Sequence, residues 1–493
     1  MMRLSKDSLE PTIEFFIFNK LMLSEYAVKT YCANELLTWN RLDLAFKLAY
    51  LDLKGANSTL ANKIYQEDIR SQTLGSFEEI GNEEKNSFQK YIDEFEATYE
   101  NIKTNGFDEK KSIIPLSAAG TIINGAHRVA SAIHLKESVN CIHTELPIMT
   151  CDYNYFHERN VSPDLLDLVV NKFIEYAENV YITFLWPSGK TNFSETLAEF
   201  SDVIYKKEVF LSSNGGFNLI VELYKHMDWV GTAESGFAGA KQKLIECFPN
   251  FESFFVVAFQ SDSIEEVQKI KARVRKINNI GFSSVHITDT KEEAMRISKL
   301  VFNENGRHFL NFSQPFKYSI VEKLNVFDEF LFSMHLNKDD VLIDGSVVLA
   351  LYGIRENADI DFLTSSQYCT TSDDKEFEDH DSELIYHNVE KQSLIYNPAY
   401  YFEYLGFKII SFHQFYEMKS SRNEEKDKND IKLMKALIDN NKFKQLTAKV
   451  RQSVFYFKIK SKKVVLDVAF KILHFTGLHG VVRGFYRKLK SRT

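Results

Sequence analysis

Cysteine, proline and uninterrupted apolar runs are all scarce in this sequence, and each scarcity excludes a class of protein. The five cysteines, Cys32, Cys141, Cys151, Cys247 and Cys369, stand far apart with no Cys-x-x-Cys pair, which excludes a disulfide framework and a thiolate zinc site. They read as the reduced structural thiols of a cytoplasmic protein. Eight prolines among 493 residues leave no Pro-rich spacer. No basic segment followed by an apolar core opens the chain, so no secretory signal is expected. The longest apolar stretch, Val464 to Val482, is broken by Asp467, Lys471, His474 and His479 and cannot supply a membrane-spanning helix.

What is present is the composition of a folded protein, 44% hydrophobic and 26% charged, in a chain too long for one core. Roughly three domains are expected on length alone. Charge is nearly balanced overall, at a net −8, but unevenly distributed. From Lys442 onward, 14 Lys/Arg accompany one acid, Asp467, so this tail carries +13 and the remainder −21. Residues 481–492 mix aromatic and aliphatic side chains with cations, the pattern of a helix lying on an anionic membrane surface. The protein is therefore expected to be peripheral at the inner face of the plasma membrane. A basic face packed on the acidic body is the plainer alternative. Nucleic acid is disfavoured as a partner by the acidic balance and the lack of a reading module.

Apolar spacing divides the chain into five regions. Residues 1–105 read as a helical lead-in, with helical periodicity near Glu14 and again from Glu83 to Asn105. Residues 106–170 open with short strands at 113–116 and 121–123, then a loop, Asn124 to Arg128, then a helix from Val129. Residues 171–317 alternate apolar strands at 180–185, 254–259 and 284–287 with helices such as Ile264 to Ile277, an α/β pattern. There Thr290 and Glu293 have the spacing of a capping box, and Trp186-Pro187 reads as a turn. Residues 318–440 form a second α/β unit, and 441–493 are basic amphipathic helices.

The most informative run is 341–363, Val-Leu-Ile-Asp-Gly-Ser-Val-Val-Leu-Ala-Leu-Tyr-Gly-Ile-Arg-Glu-Asn-Ala-Asp-Ile-Asp-Phe-Leu. It reads as strand, Gly-Ser, short helix, turn and second strand. Twelve residues separate Ser346 from Asp359. Strand alternation puts Asp359 and Asp361 on one face while Ile360 and Phe362 enter the core, so the two acids can share Mg²⁺ or Mn²⁺. Gly345 lets the backbone approach phosphate, and the amide and hydroxyl of Ser346 can donate to it.

This run resembles the hallmark of the polymerase-β-type nucleotidyltransferase superfamily, Gly-Ser followed by Asp-hydrophobic-Asp between two apolar strands. Downstream, 412–433 resembles the Lys-x-x-Arg…Lys-Asp-x-x-Asp helical ending of small members. The resemblance implies metal binding by Asp359 and Asp361, phosphate seating by Gly345 and Ser346, and charge compensation by Lys419 or Arg422. Asp427 and Asp430 are left between packing and capping. It also implies a third carboxylate, whose place lies among Asp381, Glu383 and Glu403. Arg355, in Gly353-x-Arg355, is similar to the pattern of abortive-infection and toxin-type members.

The loop Asn124-Gly125-Ala126-His127-Arg128 resembles that of the ParB/sulfiredoxin-like domain, where Gly-x-x-Arg binds nucleotide phosphates. Gly125 permits close approach, Arg128 can grip two phosphate oxygens, and His127 can donate or act as acid or base. Sulfiredoxins carry cysteine inside this loop. Ala126 stands here, which excludes that reductase chemistry. The plain alternative is a tight turn whose arginine pairs with the acidic body. In the middle region His286, Asp289, Asn303 and His308 are candidate substrate contacts.

The expected fold class is α/β and α+β multidomain: helical lead-in, ParB/sulfiredoxin-like domain, middle α/β domain, nucleotidyltransferase-fold domain and basic tail. The expected activity is Mg²⁺-dependent nucleotidyl or phosphoryl transfer from a nucleoside triphosphate or nucleotide-activated donor to a small-molecule or glycan substrate. The arrangement resembles enzymes of bacterial surface-polysaccharide (capsule or O-antigen) assembly. A toxin/antitoxin-class transferase acting on RNA or protein, and an inactive nucleotide-binding regulator, are the alternatives.

Overall fold

The computed structural model describes residues 3–79, 84–108, 112–366 and 376–439, and is a mixed α/β protein with three small sheets. The chain divides into two compact units, the first ending at Phe415 and the second beginning at Tyr416. The basic tail 441–493 and Cys369 lie outside the described residues.

The first sheet joins β1 (Arg3–Ser5), β2 (Glu25–Cys32), β3 (Ile114–Leu116) and β4 (Ser138–His143) in the order β1-β2-β4-β3. Its composition corrects the helical lead-in over 1–105, because that region supplies two strands and shares a sheet with 106–170. In β2, buried Tyr26 and Val28 alternate with exposed Glu25 and Lys29, a period of two that only a strand satisfies. Near Glu14 the helix is a single turn, Phe15–Phe18, whereas Phe88–Asn105 is a full helix. The strand expected at 121–123 reduces to one bridge between Leu116 and Ile122. The helix after the Asn124–Arg128 loop is Ala126–Leu135.

The second sheet contains β5 (Val180–Leu185), β6 (Val203–Val209), β7 (Phe254–Gln260) and β8 (Val285–Ile287), ordered β6-β7-β5-β8 with antiparallel neighbours throughout. β5 is buried along its whole length, as expected of a strand covered on both faces. Helix Ile264–Asn278 lays Val267, Ile270 and Val274 against Tyr181, Phe259 and Ile287 of this sheet. Thr290 caps the helix Lys291–Val301 by accepting from the Glu293 amide at 3.1 Å. The Glu293 carboxylate accepts instead from the Asp289 amide, so only half of the expected box forms. Trp186 is buried against Phe184, Phe248 and Phe254, and the turn expected there is a 3-10 helix, Pro187–Asn192.

The third sheet is built from β9 (Val341–Asp344), β10 (Ile360–Thr364), β11 (Phe377–Asp379), β12 (Tyr401–Tyr404) and β13 (Phe407–Ile410), ordered β11-β10-β9-β13-β12. Its core strand β9 is wholly buried. Phe327 and Phe330 of helix Ile320–Ser333 pack on Phe362 and Phe377, covering one face. Among the described residues no helix is long and apolar enough to cross a membrane.

Candidate active site

The site is assembled where β9 ends and β10 begins. Asp361 pairs with Asp344 across the antiparallel β9/β10 ladder and with Glu378 across the parallel β10/β11 ladder. Directly registered residues point to the same side of a sheet, so three carboxylates form a row across three strands. In β10, Ile360 and Phe362 are buried as the alternation predicts, and Asp361 is the one residue of the strand that is not. Asp359 lies in the bend one residue ahead of the strand, its carbonyl accepting from Asn357 Nδ2 at 2.9 Å.

Asp344 is fully buried and triply bonded. Its Oδ2 accepts from His380 Nδ1 at 2.7 Å and from His387 Nε2 at 3.1 Å, and its Oδ1 accepts from the Gly345 amide at 2.8 Å. The buried Gln414 amide approaches His387 Nδ1 at 3.3 Å, which leaves His387 Nε2 as the donor to Asp344. Burial alone would raise the Asp344 carboxyl, but the bonds and charges of His380 and His387 hold it well below the usual carboxylate range. Burial likewise opposes charging of His380, and Asp344 outweighs it, so the imidazole is raised above its ordinary value.

Asp361 has the opposite environment. Among the described residues it has no hydrogen-bond or ion-pair partner. Burial, partly countered by His380 and reinforced by the like charges of Asp359, Asp344 and Glu378, pushes its carboxyl up to about 6. Gly345, at φ +83°, makes this placement possible: a Cβ there would lie 2.2 Å from Asp361 Oδ2. The space expected to admit phosphate beside Gly345 is thus occupied in part by the chain's own carboxylate. Ser346 precedes a helix of only five residues, Val347–Leu351, and its hydroxyl caps no amide, so the helix contributes little dipole. Arg355 donates from Nη1 to the Glu356 carbonyl at 3.0 Å.

Asp359 and Asp361 are the residues of this site that could hold a divalent cation. Asp359 and Asp361 bring like charges together, countered at Asp361 only in part by His380, and Mg²⁺ is commonly held by one or two carboxylates with substrate phosphates and water completing the shell. Among the described residues no group of three or more His, Cys, Asp or Glu is gathered as a complete metal cage.

Two of the three candidates for the third carboxylate are committed elsewhere. Asp381 pairs with Lys391 at 2.6 Å, Glu403 sits on β12 and pairs with Lys299 at 2.9 Å, and Glu383 falls in the 3-10 helix Asp381–Tyr386. Glu378, which the sequence reading passed over, is the carboxylate in register with Asp361. Its signal was the alternation of buried Phe377 with exposed Glu378. Lys419 and Arg422 belong to the second unit, where Lys419 Nζ contacts Asp427 at 2.8 Å and Asp430 at 3.0 Å, and Arg422 Nη2 contacts Asp427 at 2.8 Å. Asp427 also completes a capping box with Glu424. Asp427 therefore both caps and packs, and the two cations already have carboxylate partners.

The Asn124–Arg128 loop is equally committed. Arg128 Nη2 pairs with Glu14 at 2.7 Å, and its Nη1 donates to the Ser112 hydroxyl. His127 Nε2 meets the Tyr65 hydroxyl at 2.8 Å and its ring packs on Phe95, and burial lowers it well below an ordinary histidine. Asn124 Oδ1 accepts from the Gly125 amide, and Gly125 turns the chain at φ +91°. These contacts are those of the tight turn whose arginine pairs with an acid. In the middle region, His286 Nε2 is 3.3 Å from Glu293, Asn303 caps the helix Glu304–Phe312, and His308 Nδ1 meets the Tyr352 hydroxyl at 2.8 Å.

Compared with protein-family models, curated proteins and solved structures, the chain finds no match.

Proposed function

We propose that residues 318–440 contain a nucleotidyltransferase-like centre that transfers a nucleotidyl or phosphoryl group to a small phosphorylated or nucleotide-activated substrate. The observation that supports it is Asp361: a carboxylate at a strand end, unpaired among the described residues, laid against Gly345 and in register with two further acids. A structural carboxylate this enclosed would normally have a cation or several donors.

In this reading Asp359 and Asp361 hold the metal, with Glu378 at the rim. A bound Mg²⁺ or Mn²⁺ would neutralise phosphate charge and align the reacting groups. Gly345 keeps the backbone out of the carboxylate's way. Asp344 acts through others, as a positioning residue that fixes His380 beside Asp361 and favours its protonated form. A charged His380 there can donate to a phosphate oxygen of the substrate. Lys419 and Arg422 are given no part in the transfer, because Asp427 and Asp430 offset them.

The test is incubation of the purified protein with Mg²⁺, labelled nucleoside triphosphates and a panel of sugar, lipid-linked and tRNA acceptors. Asp361→Asn should abolish labelling of the acceptor while circular dichroism stays unchanged. Equal turnover by wild type and variant would reject the metal role, and labelling of tRNA alone would favour the toxin-class reading. An inactive regulator is favoured by the neutralised Lys419 and Arg422. It would bind nucleotide in calorimetry without labelling any acceptor.

A further inference from the structure

A cleft in the middle domain is lined by residues other than those of the Asp359/Asp361 centre and is built from a different set of elements. It encloses about 530 Å³, within the range of small-molecule sites. One wall is helix Ile264–Asn278, which presents Lys271 and Arg275 four residues apart and hence on one face. The opposite wall is aromatic, formed by Tyr224 at the end of helix Ser213–Tyr224 and by Trp229. Phe282, Asp289, and Val285 and His286 of β8 complete the lining.

Three features are costly if the cleft is only a surface fold. Trp229 is 47% exposed and Phe282 73% exposed, facing a shared space. Trp229 is held in place: Tyr224 packs on it with ring centroids 5.3 Å apart, and Gly239 brings helix Ala238–Cys247 so close that a Cβ would meet the Trp229 carbonyl at 1.9 Å. Second, two cations are not ion-paired, although Glu246 also lines the cleft. Among the described residues neither Lys243 nor Arg275 has an acid within ion-pair distance, while Lys271 is paired with Asp289 at 3.3 Å. Lys243 Nζ donates only to the Phe282 carbonyl at 2.8 Å and, at 3.4 Å, to Ser283 Oγ. Third, Arg275 Nε is buried without a hydrogen-bond partner, and its guanidinium lies 4.5 Å from the Phe282 ring centroid. An aromatic shelf, two cations without an ion-pair partner among the described residues and an unmet guanidinium donor together call for a ligand with a planar ring and an anionic end.

We propose that this cleft binds a nucleoside monophosphate-like ligand, the base stacked on Trp229 and Phe282 and the phosphate held by Arg275 and Lys243. Asp289, half-exposed in the lining, accepts from the sugar hydroxyls. His286 is tied to Glu293 and packed edge-on against Tyr224, at 4.9 Å, so it shapes the wall without reaching the ligand. This site is independent of the transferase reading and stands or falls apart from it.

The experiment is calorimetric titration of the full chain with AMP and UMP in EDTA, which removes any metal-dependent contribution from Asp359 and Asp361. Adenosine and ribose 5-phosphate serve as half-ligands. At least one nucleotide should bind in the micromolar to millimolar range, with each half-ligand weaker by about tenfold or more. Arg275→Ala and Phe282→Ala should each weaken binding by about tenfold, and Phe282 is exposed enough that its variant will fold. Trp229→Phe should keep affinity but lose ligand-induced tryptophan quenching. Asp361→Asn should bind as wild type. The proposal is overturned if neither nucleotide binds at millimolar concentration, if ribose 5-phosphate binds as well as the nucleotide, or if Arg275→Ala and Phe282→Ala bind normally. Loss of binding in Asp361→Asn would assign the nucleotide to the other centre and also overturn it.

Discussion

Gly345 and Asp344 are adjacent in sequence but fail in different ways when altered. Gly345→Ala places a Cβ within 2.2 Å of Asp361 Oδ2 at a backbone φ of +83°. The strain should cost about 1–3 kcal/mol of stability, and relief by moving Asp361 should reduce transfer as severely as Asp361→Asn. Urea unfolding and acceptor labelling measured together check both halves. Asp344→Asn leaves the buried His387 and the part-buried His380 facing a neutral amide and should cost about 2–4 kcal/mol near neutrality. The sign of its pH dependence follows from the two shifts. Asp344, held well below its ordinary value, stabilises above the unfolded carboxylate range, and that gain is lost as pH falls through its folded value. His380, raised above its ordinary value, stabilises below the unfolded histidine value of about 6.5, and that gain is lost as pH rises through its folded value. The gap between wild type and variant should therefore be widest between about pH 4 and 6.5 and narrow on both sides. A gap that keeps widening above pH 8 would contradict the His380 assignment.

At the scale of elements, one carboxylate joins three helices of the first unit. Asp52, near the end of helix Asp43–Leu53, accepts from Tyr176 Oη at 2.6 Å and pairs with Lys172 at 2.7 Å and His134 at 3.3 Å. Burial opposes its ionisation, but His134, Lys172 and Tyr176 outweigh it and bring its carboxyl down to about 2. The folded value lies below the unfolded one, so this stabilisation is present above about pH 4 and lost as pH falls toward 2. Asp52→Asn should cost roughly 2–3 kcal/mol at pH 7, with the deficit disappearing in acid, as followed by thermal melts from pH 7 downward. None of these partners was legible in the sequence, because Tyr176 stands 124 residues from Asp52. The turn from β9 to β10 was legible, since alternation, Gly345 and paired acids are local signals. The strand β2 carried the same alternation but sat among apolar residues that also satisfied helical spacing. For Arg128 the local sequence fits both a phosphate-type loop and a turn whose arginine pairs with an acid, and the acid it pairs with, Glu14, stands 114 residues away. Local chemistry was readable from neighbours, and the cancelling charges were not.

At the scale of the whole molecule, the dominant asymmetry is charge. Everything before Lys442 sums to −21 and the tail beyond it to +13, so the body repels an anionic bilayer that the tail attracts. Basic residues near such a surface contribute about 1 kcal/mol each at moderate salt, more than enough in sum to hold a chain whose body is unfavourably charged. The full chain should co-sediment with phosphatidylserine-containing vesicles and not with purely zwitterionic ones. Raising salt from about 0.1 to 1 M shortens the screening length from about 10 to 3 Å and should release it, unless the aromatic residues at 481–492 insert as well. Deletion from Lys442 should abolish sedimentation while leaving transfer to a water-soluble acceptor intact, because no residue given a part in the transfer lies beyond that point. Equal vesicle binding by the truncated chain would place the contact on the body, where the net charge argues against it. Loss of transfer together with binding would instead mean that the tail is needed by the active centre itself.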